Sequence, residues 1–409
     1  MTSSAEPPAS TVEDWATDFD HTDPGWAADA PAIWEDLRGR CPVAHSERFG
    51  GVWLPTRHED VSAIAHDTVH FTSQSVIVAN WKPDAPRPIG FAPPITSDPP
   101  FHEIARRILL PAFSPKAIRE LEEPTRRFCA ELVDDLVASG RTEVDAAAEY
   151  SQHIPVRVIA HMLGVPASDG DKFRGFIHRI LERAGQVNEV AVEDTMIYYL
   201  AGVLADHRAN PRDDLVGYLL ECEIAGQPLT DEHILGTVAL LLIAGIDTTW
   251  SAIGATLWHL AQHPEECDRL RADPTLLPMA VEEFLRAYAP VTMARLVAED
   301  VEIGGEQLHE GDWVLLPFPA ANRDPEFFDQ ADEVVIDRQK NRHAAFGLGI
   351  HRCIGSNLAR MELTIAVEEW LRRVPSFELA DPDGVRWATG QVRGPRTLPV
   401  RLNHDRKES

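Results

Sequence analysis

The segment 230–263 constrains the fold more than any other. Thr230 is an N-cap residue, Asp231 and Glu232 put acid in the first turn, and Pro264 follows His263. The pattern predicts one helix of about 33 residues, some 50 Å long. A rod of that length crosses a whole domain, so the remaining elements must be built around it. Its apolar stretch, residues 234–246, is interrupted by Thr237 and falls short of the roughly 18 residues a membrane span requires, which predicts a core helix and no membrane anchor. The middle of the helix breaks local rules, because Gly245, Asp247, Thr248 and Thr249 are weak helix formers in an apolar setting. Glycine alone costs about 1 kcal/mol there relative to alanine. Two readings follow. In one, a Thr hydroxyl bonds back to a carbonyl one turn earlier, such as that of Ala244, at a kink, with Asp247 solvated. In the other, the helix opens into a groove that holds a small ligand beside an acid and a hydroxyl.

The chain around this rod has 409 residues, enough for two to three domains or one large one at about 150 residues each. No internal repeat, low-complexity tract or Gly/Ser linker follows residue 30, which favours a single domain over 26–409 behind a flexible tail at 1–25. The first ten residues lack both the basic and the apolar region of a signal peptide. Short apolar runs around Gly50 and Gly51 predict a hairpin in 47–54, with helical spacing in 56–66. The Pro-rich loop 76–100 carries Val76, Ile77, Val78, Trp81 and Phe91, and long apolar loops are often functional. Helical spacing dominates 101–285, broken at Ser139-Gly140, Pro166 and Pro211. Alternation returns in 296–317, with Gly304-Gly305 as a turn, and again in 397–402. The fold class is therefore mainly α with a small β region.

Charge and cysteine usage narrow the partners. A net charge of −27 repels phosphate backbones and anionic leaflets, so neither nucleic acid nor a membrane surface is expected. Five scattered cysteines with no CxxC pair support neither a disulfide framework nor a zinc ribbon and fit a reducing cytoplasm.

Two further patterns carry chemistry. Glu283 and Arg286 stand at i, i+3 on a helix expected over 275–288, which Ala289-Pro290 ends ahead of Arg295. Phe346-Gly347-Leu348-Gly349-Ile350-His351-Arg352-Cys353-Ile354-Gly355 is a glycine-rich turn leading into a helical run. As a dinucleotide loop it fails, because Arg352 stands where a third glycine belongs. The CxxCH of a c-type haem site is absent, and His351 with Cys353 is too small a set for zinc. What remains is one thiolate at a helix start, favoured by backbone N–H groups and the helix dipole. That suits a soft metal needing a single sulfur ligand, of which haem iron held by Cys is the main biological case.

Together these features resemble the cytochrome P450 family. The cysteine loop matches F-x-x-G-x-H/R-x-C-x-G at every position. Glu283-x-x-Arg286 matches the E-x-x-R motif, and Ala244-Gly245-Ile246-Asp247-Thr248-Thr249 matches the oxygen-groove motif. The resemblance implies a bacterial soluble haem-thiolate monooxygenase with haem b between the long helix and the cysteine loop. Cys353 would be the metal ligand, with Phe346, Gly347, Gly355 and Ala244 against the cofactor and His102, Arg106, Arg295 and His351 meeting its propionates. Thr248 would hold dioxygen while Asp247 relays protons. Glu283, Arg286 and Arg338 would form a structural ion-pair network. After Phe328 the sequence departs from the family, with Asp329, Ala331 and Val334 in place of the usual proline, proline and phenylalanine.

The same resemblance places the substrate pocket on Val76, Ile77, Val78, Trp81, Phe173, Phe176, Ile180, Leu240, Leu241, Ala244, Val291, Thr292, Met293 and Val392. This implies a small, mostly apolar substrate, aromatic or alkoxyaromatic, that is hydroxylated or O-dealkylated. Segments 93–100 and 390–396 are similar to haem domains of bacterial P450s fused to a reductase. Electrons would then come from NAD(P)H through a separate ferredoxin or flavodoxin-type donor and its reductase, or the chain is an excised haem domain. Family redox partners are commonly acidic, so a basic patch at Arg107, Arg342, Arg352 and Arg360 is expected to offset the overall charge. The alternatives are a peroxide-dependent or non-oxygenating P450, a haem-bound ligand-binding protein, and, more distantly, a Cys-dependent hydrolase.

Overall fold

The structure is a computed structural model that describes residues 10–78, 92–182 and 191–403, and helices dominate it. They are α1 (Pro24–Arg40), α2 (His58–His66), α3 (Phe101–Leu109), α4 (Pro115–Ala138), α5 (His153–Leu163), α6 (Gly170–Ile177), α7 (Met196–Ala209), α8 (Leu215–Glu221), α9 (Asp231–Leu260), α10 (Pro264–Ala272), α11 (Leu277–Ala287), α12 (Phe318–Ala321) and α13 (Ser356–Arg373). The strands are short: β1 (Val43–Ser46), β2 (Val52–Pro55), β3 (Phe71–Thr72), β4 (Glu143–Asp145), β5 (Glu223–Ile224), β6 (Gln227–Pro228), β7 (Thr292–Val297), β8 (Val301–Ile303), β9 (Glu306–Leu308), β10 (Trp313–Pro317), β11 (Ser376–Leu379), β12 (Arg386–Trp387), β13 (Pro395–Thr397) and β14 (Pro399–Asn403).

The expected rod is α9. The Thr230 side chain accepts a hydrogen bond from the His233 N–H at 3.2 Å and caps it. The backbone stays helical through Gly245, Asp247, Thr248 and Thr249, so the kink expected from weak helix formers does not occur. Tertiary packing supplies the reason. A Cβ at Gly245 would lie 2.4 Å from Cδ1 of Ile159 on α5, so the glycine lets two helices cross closely. Despite Thr237, α9 is long and apolar enough to cross a membrane by length and composition. Most of that stretch is buried, however, its first half among α5, α6, α7 and α8 and its second half among α4, α11 and α13.

The larger sheet runs in the order β1-β2-β10-β7-β3, antiparallel except for the parallel pairing of β10 with β2. The hairpin β8–β9 turns at Gly304-Gly305 as expected, and β11-β14-β4 forms a second sheet. The flexible-tail expectation fails for residues 10–25. Phe19 is fully buried and packs with Ala16, Trp26 and Trp34, while Arg48 pairs with Asp18 at 2.7 Å and Asp20 at 3.3 Å. Burial of aromatic surface here outweighs the polar composition of the very N-terminus. Residues 1–9 lie outside the described residues.

Candidate active site

The glycine-rich turn before α13 is built from left-handed backbone. Gly347 and Gly349 have φ of 70° and 66°, and a Cβ at Gly349 would lie 2.0 Å from the Ala65 carbonyl oxygen at the end of α2. The turn closes where the Cys353 N–H donates to the Phe346 carbonyl at 2.7 Å. The accessible surface of Cys353 opens into a cavity of about 570 Å³, and it is the only cysteine on that wall. Burial pushes its thiol pKa up, while the Gly355 N–H and the guanidinium groups of Arg106, Arg352 and Arg360 pull the other way.

Helix α9 forms the facing wall through Leu240, Leu241, Ala244, Gly245, Thr248 and Thr249. The Thr248 hydroxyl donates to the Ala244 carbonyl at 2.6 Å, so the back-bonded reading of this threonine holds even though the helix does not kink. Asp247 is not on that wall. One residue is a 100° turn of the helix, and its fully buried carboxylate pairs instead with Arg396 at 2.8 Å. Arg396 also bonds Ser251 and lies 4.4 Å over the Trp250 ring. Neither solvation of Asp247 nor its expected place beside Thr248 in the cavity occurs.

The remaining wall comes from Val76 and Ile77, from Phe176 and Ile180, from Val291 and Met293, and from Val392, as expected. Val392 bridges Val291, which brings the segment after β12 to the cavity. Three of the expected positions fall elsewhere. Val78 packs with the N-terminal aromatic cluster, Phe173 is buried between α5 and α7, and the Thr292 side chain is buried away from the cavity. Trp81 and Phe91 lie outside the described residues.

One corner of the cavity is cationic. Arg106 and Arg295 line it with His351, whose ring stands 4.5 Å from that of His102. Both nitrogens of His102 and Nε2 of His351 are buried without hydrogen-bond partners. Burial, aided by Arg295, His102 and Arg106, lowers the His351 pKa to about 2. Burial also lowers that of Arg295 to about 10, against the opposing pull of Asp98. Such a corner is short of negative charge and would accept carboxylates as ligands.

Glu283 and Arg286 are both fully buried and joined by two hydrogen bonds, of 2.9 and 2.8 Å. Arg338 and Asn341 also donate to Glu283. Arg286 donates to the carbonyls of Asn322, Ala331 and Glu333. The loop after Phe328 is therefore held by its backbone around this pair, and the departures at Asp329, Ala331 and Val334 leave those backbone contacts in place.

A model of the cytochrome P450 family matches residues 173–385, just over half of the chain. The chain is 36% identical to cytochrome P450 107B1 of Saccharopolyspora erythraea over 374 residues, covering 88% of this chain and 92% of that protein. It belongs to the cytochrome P450 family. It is also 34% identical to mycinamicin IV hydroxylase/epoxidase of Micromonospora griseorubida, over 85% of this chain and 89% of that one. Among solved structures, the P450 PksS of the Bacillus subtilis bacillaene polyketide synthase superposes with a TM-score of 0.83 at 29% identity, covering 94% of this chain and all of that one.

The protein is thus a P450 monooxygenase that binds haem b through a cysteine thiolate. The cavity fits that group on its own terms. A sulfur stands on one wall, apolar side chains line the faces, and the cationic corner with its orphaned imidazoles matches the two propionate carboxylates. Two side chains escaped the sequence reading. Arg396 is 149 residues from its partner Asp247, and nothing local signals the pair. Glu362 left a signal that was available, as a lone acid among Leu358, Ile365 and Ala366 on the apolar stripe of α13.

Proposed function

We propose that Cys353 carries the haem iron and that this P450 inserts one oxygen atom from O2 into a small, mostly apolar substrate in the cytoplasm. The observation that carries the reading is a single cavity with Cys353 on one wall, Thr248 on the facing wall and apolar side chains between them. Bound haem with a thiolate ligand supplies reductive activation of dioxygen and cleavage of its O–O bond. The chain's own residues do the rest. Arg106, Arg295, His102 and His351 hold the propionates and fix the orientation of the ring. Leu241, Ala244, Val291, Met293 and Val392 exclude water and orient the substrate by shape. Thr248 presents its hydroxyl to the oxygen side, with the proton committed to Ala244 and the lone pairs free to accept. Asp247 buttresses that turn of α9 through Arg396.

Electrons are proposed to come from NAD(P)H through a separate ferredoxin or flavodoxin-type protein. In support, the chain covers 92% of P450 107B1, which leaves no room in that relative for a fused reductase. Arg107, Arg342 and Arg352 are exposed near the cysteine loop, whereas Arg360 pairs with Glu282 at 2.5 Å and contributes less free charge. Reversing the charge of Arg352 should slow reduction and weaken its salt dependence; an unchanged rate and salt slope would discard the patch.

A second reading of the substrate, a larger biosynthetic compound, is favoured by the polyketide biosynthesis P450 PksS and the mycinamicin IV hydroxylase/epoxidase among the relatives. Optical titration of the ferric protein tests both. A saturable blue shift with small aromatic or alkoxyaromatic compounds supports the first reading. Shifts only with larger compounds such as mycinamicin IV support the second, and a Cys353→Ser protein that keeps the wild-type haem spectrum would overturn the ligand assignment.

A further inference from the structure

Three arginines line the cavity, Arg106, Arg179 and Arg295. Arg106 and Arg295 act on His351 and belong to the propionate corner, whereas Arg179 does neither. It lies in the helical turn His178–Glu182 that continues α6. Its guanidinium carbon stands 5.4 Å over the ring of Phe176, a wall residue of the same cavity. One of its N–H groups donates to the Asp194 carbonyl at 2.9 Å, just ahead of α7. Among the described residues no carboxylate pairs with it. The acids nearest along this edge are committed elsewhere, Asp169 to Lys172 and to the Tyr199 hydroxyl, both at 2.9 Å, and Asp171 to Arg174.

A guanidinium keeps its charge at any physiological pH and carries several N–H donors in one plane, of which the Asp194 bond uses one. Arg179 is half-buried on a wall it shares with Phe176, Ile180 and Met196. The Thr195 hydroxyl beside it is already committed, donating to the Val192 carbonyl at 2.7 Å and accepting from the Tyr198 N–H at 3.3 Å. Phe176 and Ile180 pack in one cluster with Val238, Ala239 and Leu241 from the first half of α9. The cavity then follows α9 from Gly236 to Thr248, a rise of about 18 Å at 1.5 Å per residue, so the cation and the Thr248 hydroxyl are served by different stretches of that helix. With a net charge of −27 the protein as a whole repels anions, and an anion accepted into this cavity needs a local cation. The planar fork of an arginine meets a carboxylate through two parallel N–H···O bonds.

We propose that Arg179 is the specificity-determining residue of the substrate site, and that the substrate is an apolar molecule bearing one carboxylate, which Arg179 receives at the end of the cavity away from Thr248. The proposal deepens the monooxygenase reading and rests on it. Two N–H groups of Arg179 take the carboxylate oxygens, the apolar body lies along Ile180, Leu240 and Leu241, and the uncharged end faces Thr248. A cavity of about 570 Å³ is in the range that holds a drug-sized molecule. Apolar walls fix shape but leave a slender molecule free to enter either way round. A single cation at one end removes that ambiguity.

Optical titration and calorimetry of the haem-loaded ferric protein at neutral pH, with 4-butylbenzoate and its methyl ester as probes, test this. The wild type should bind the acid at least about tenfold more tightly than the ester, and added salt should weaken only the acid. Arg179→Gln keeps an amide that can donate to the Asp194 carbonyl but carries no charge. It should lose at least about tenfold in affinity for the acid and less than about twofold for the ester, with the haem spectrum unchanged. Arg179→Lys should restore part of the preference as a point charge. A variant that weakens acid and ester equally reveals a packing role and overturns the proposal. So does a wild type that binds the acid no better than the ester, or binds neither, whether or not the variants fold. Calorimetric binding of the acid that depends on Arg179 but never moves the haem band supports the anion site and counts against the monooxygenase reading alone.

Discussion

Substituting Gly245 by alanine sets two magnitudes against each other. In a helix interior alanine is favoured over glycine by about 1 kcal/mol, so intrinsic propensity alone predicts a stabilised α9. The new Cβ, however, would lie 2.4 Å from Cδ1 and 2.8 Å from Cγ1 of Ile159, a residue that is 3% exposed on α5. Isoleucine is stiff at χ1 in a helix, so relief requires an off-rotamer side chain or a shift of α5, and overpacking of this kind costs about 1–3 kcal/mol. The net expectation is a loss of up to about 2 kcal/mol for Gly245→Ala. Ile159→Val alone should cost about 0.5–1.5 kcal/mol through the lost methyl. In the double variant the alanine methyl takes up the space of Cδ1, so it should be more stable than the sum of the singles by at least about 1 kcal/mol, roughly fivefold in the folding constant. Urea denaturation of the haem-loaded proteins, followed by circular dichroism with unchanged m-values, measures this. A Gly245→Ala protein stabilised by about 1 kcal/mol, with additive singles, would falsify the claim that helix crossing demands the glycine.

The remaining expectations concern charge. Glu283→Gln leaves the fully buried Arg286 without its counter-ion and should cost about 3–5 kcal/mol, or about 4–6 °C in Tm at roughly 2.1 cal/mol/K per residue, seen as lower thermal stability and loss of haem; a shift under 1 °C with haem retained would remove the network from the core's support. Burial raises the pKa of Glu282, but Arg360 and His343 outweigh it and leave the group lowered to about 2. Its folded value lies below its unfolded value, so its contribution is present above about pH 4.5 and is lost as pH falls toward 2. Glu282→Gln should flatten that limb of a Tm-versus-pH curve, and a parallel curve would refute the assignment. Arg295→Met removes a buried cation from the propionate corner and should weaken haem retention at least tenfold in competition with apomyoglobin, with little effect on haem-free stability because a buried charge that Asp98 offsets only in part is also removed; equal retention would place the propionates elsewhere.

The parts of this molecule that were legible in sequence are those where one residue type alone meets the local demand. The cysteine turn was legible because positive φ requires Gly347 and Gly349, and because only one side chain there can ligate a soft metal. Glu283 and Arg286 were legible because i, i+3 spacing on one helix fixes their contact whatever the rest of the fold does. Legibility was lost wherever facing depended on a distant partner. In the loop, Val76 and Ile77 reach the cavity while Val78 turns to Trp26 and Trp34, and no local pattern says where an extended segment switches sides. At the N-terminus the polar first ten residues masked Trp15 and Phe19, whose burial depends on a cluster built partly from β7 and β10.

The middle of α9 shows both effects within a single turn. Its departures from helix propensity were visible, and they do mark the site, but each departure has its own cause. Gly245 answers to Ile159 on α5, Thr248 to the Ala244 carbonyl beneath it, and Asp247 to Arg396 at the far end of the chain. A rule broken in the sequence located the place, and only the packing showed which acid the cavity meets. Asp247 carries the motif and is held behind the wall as an ion pair, while Glu362, which no motif reading singled out, stands on the wall without a partner.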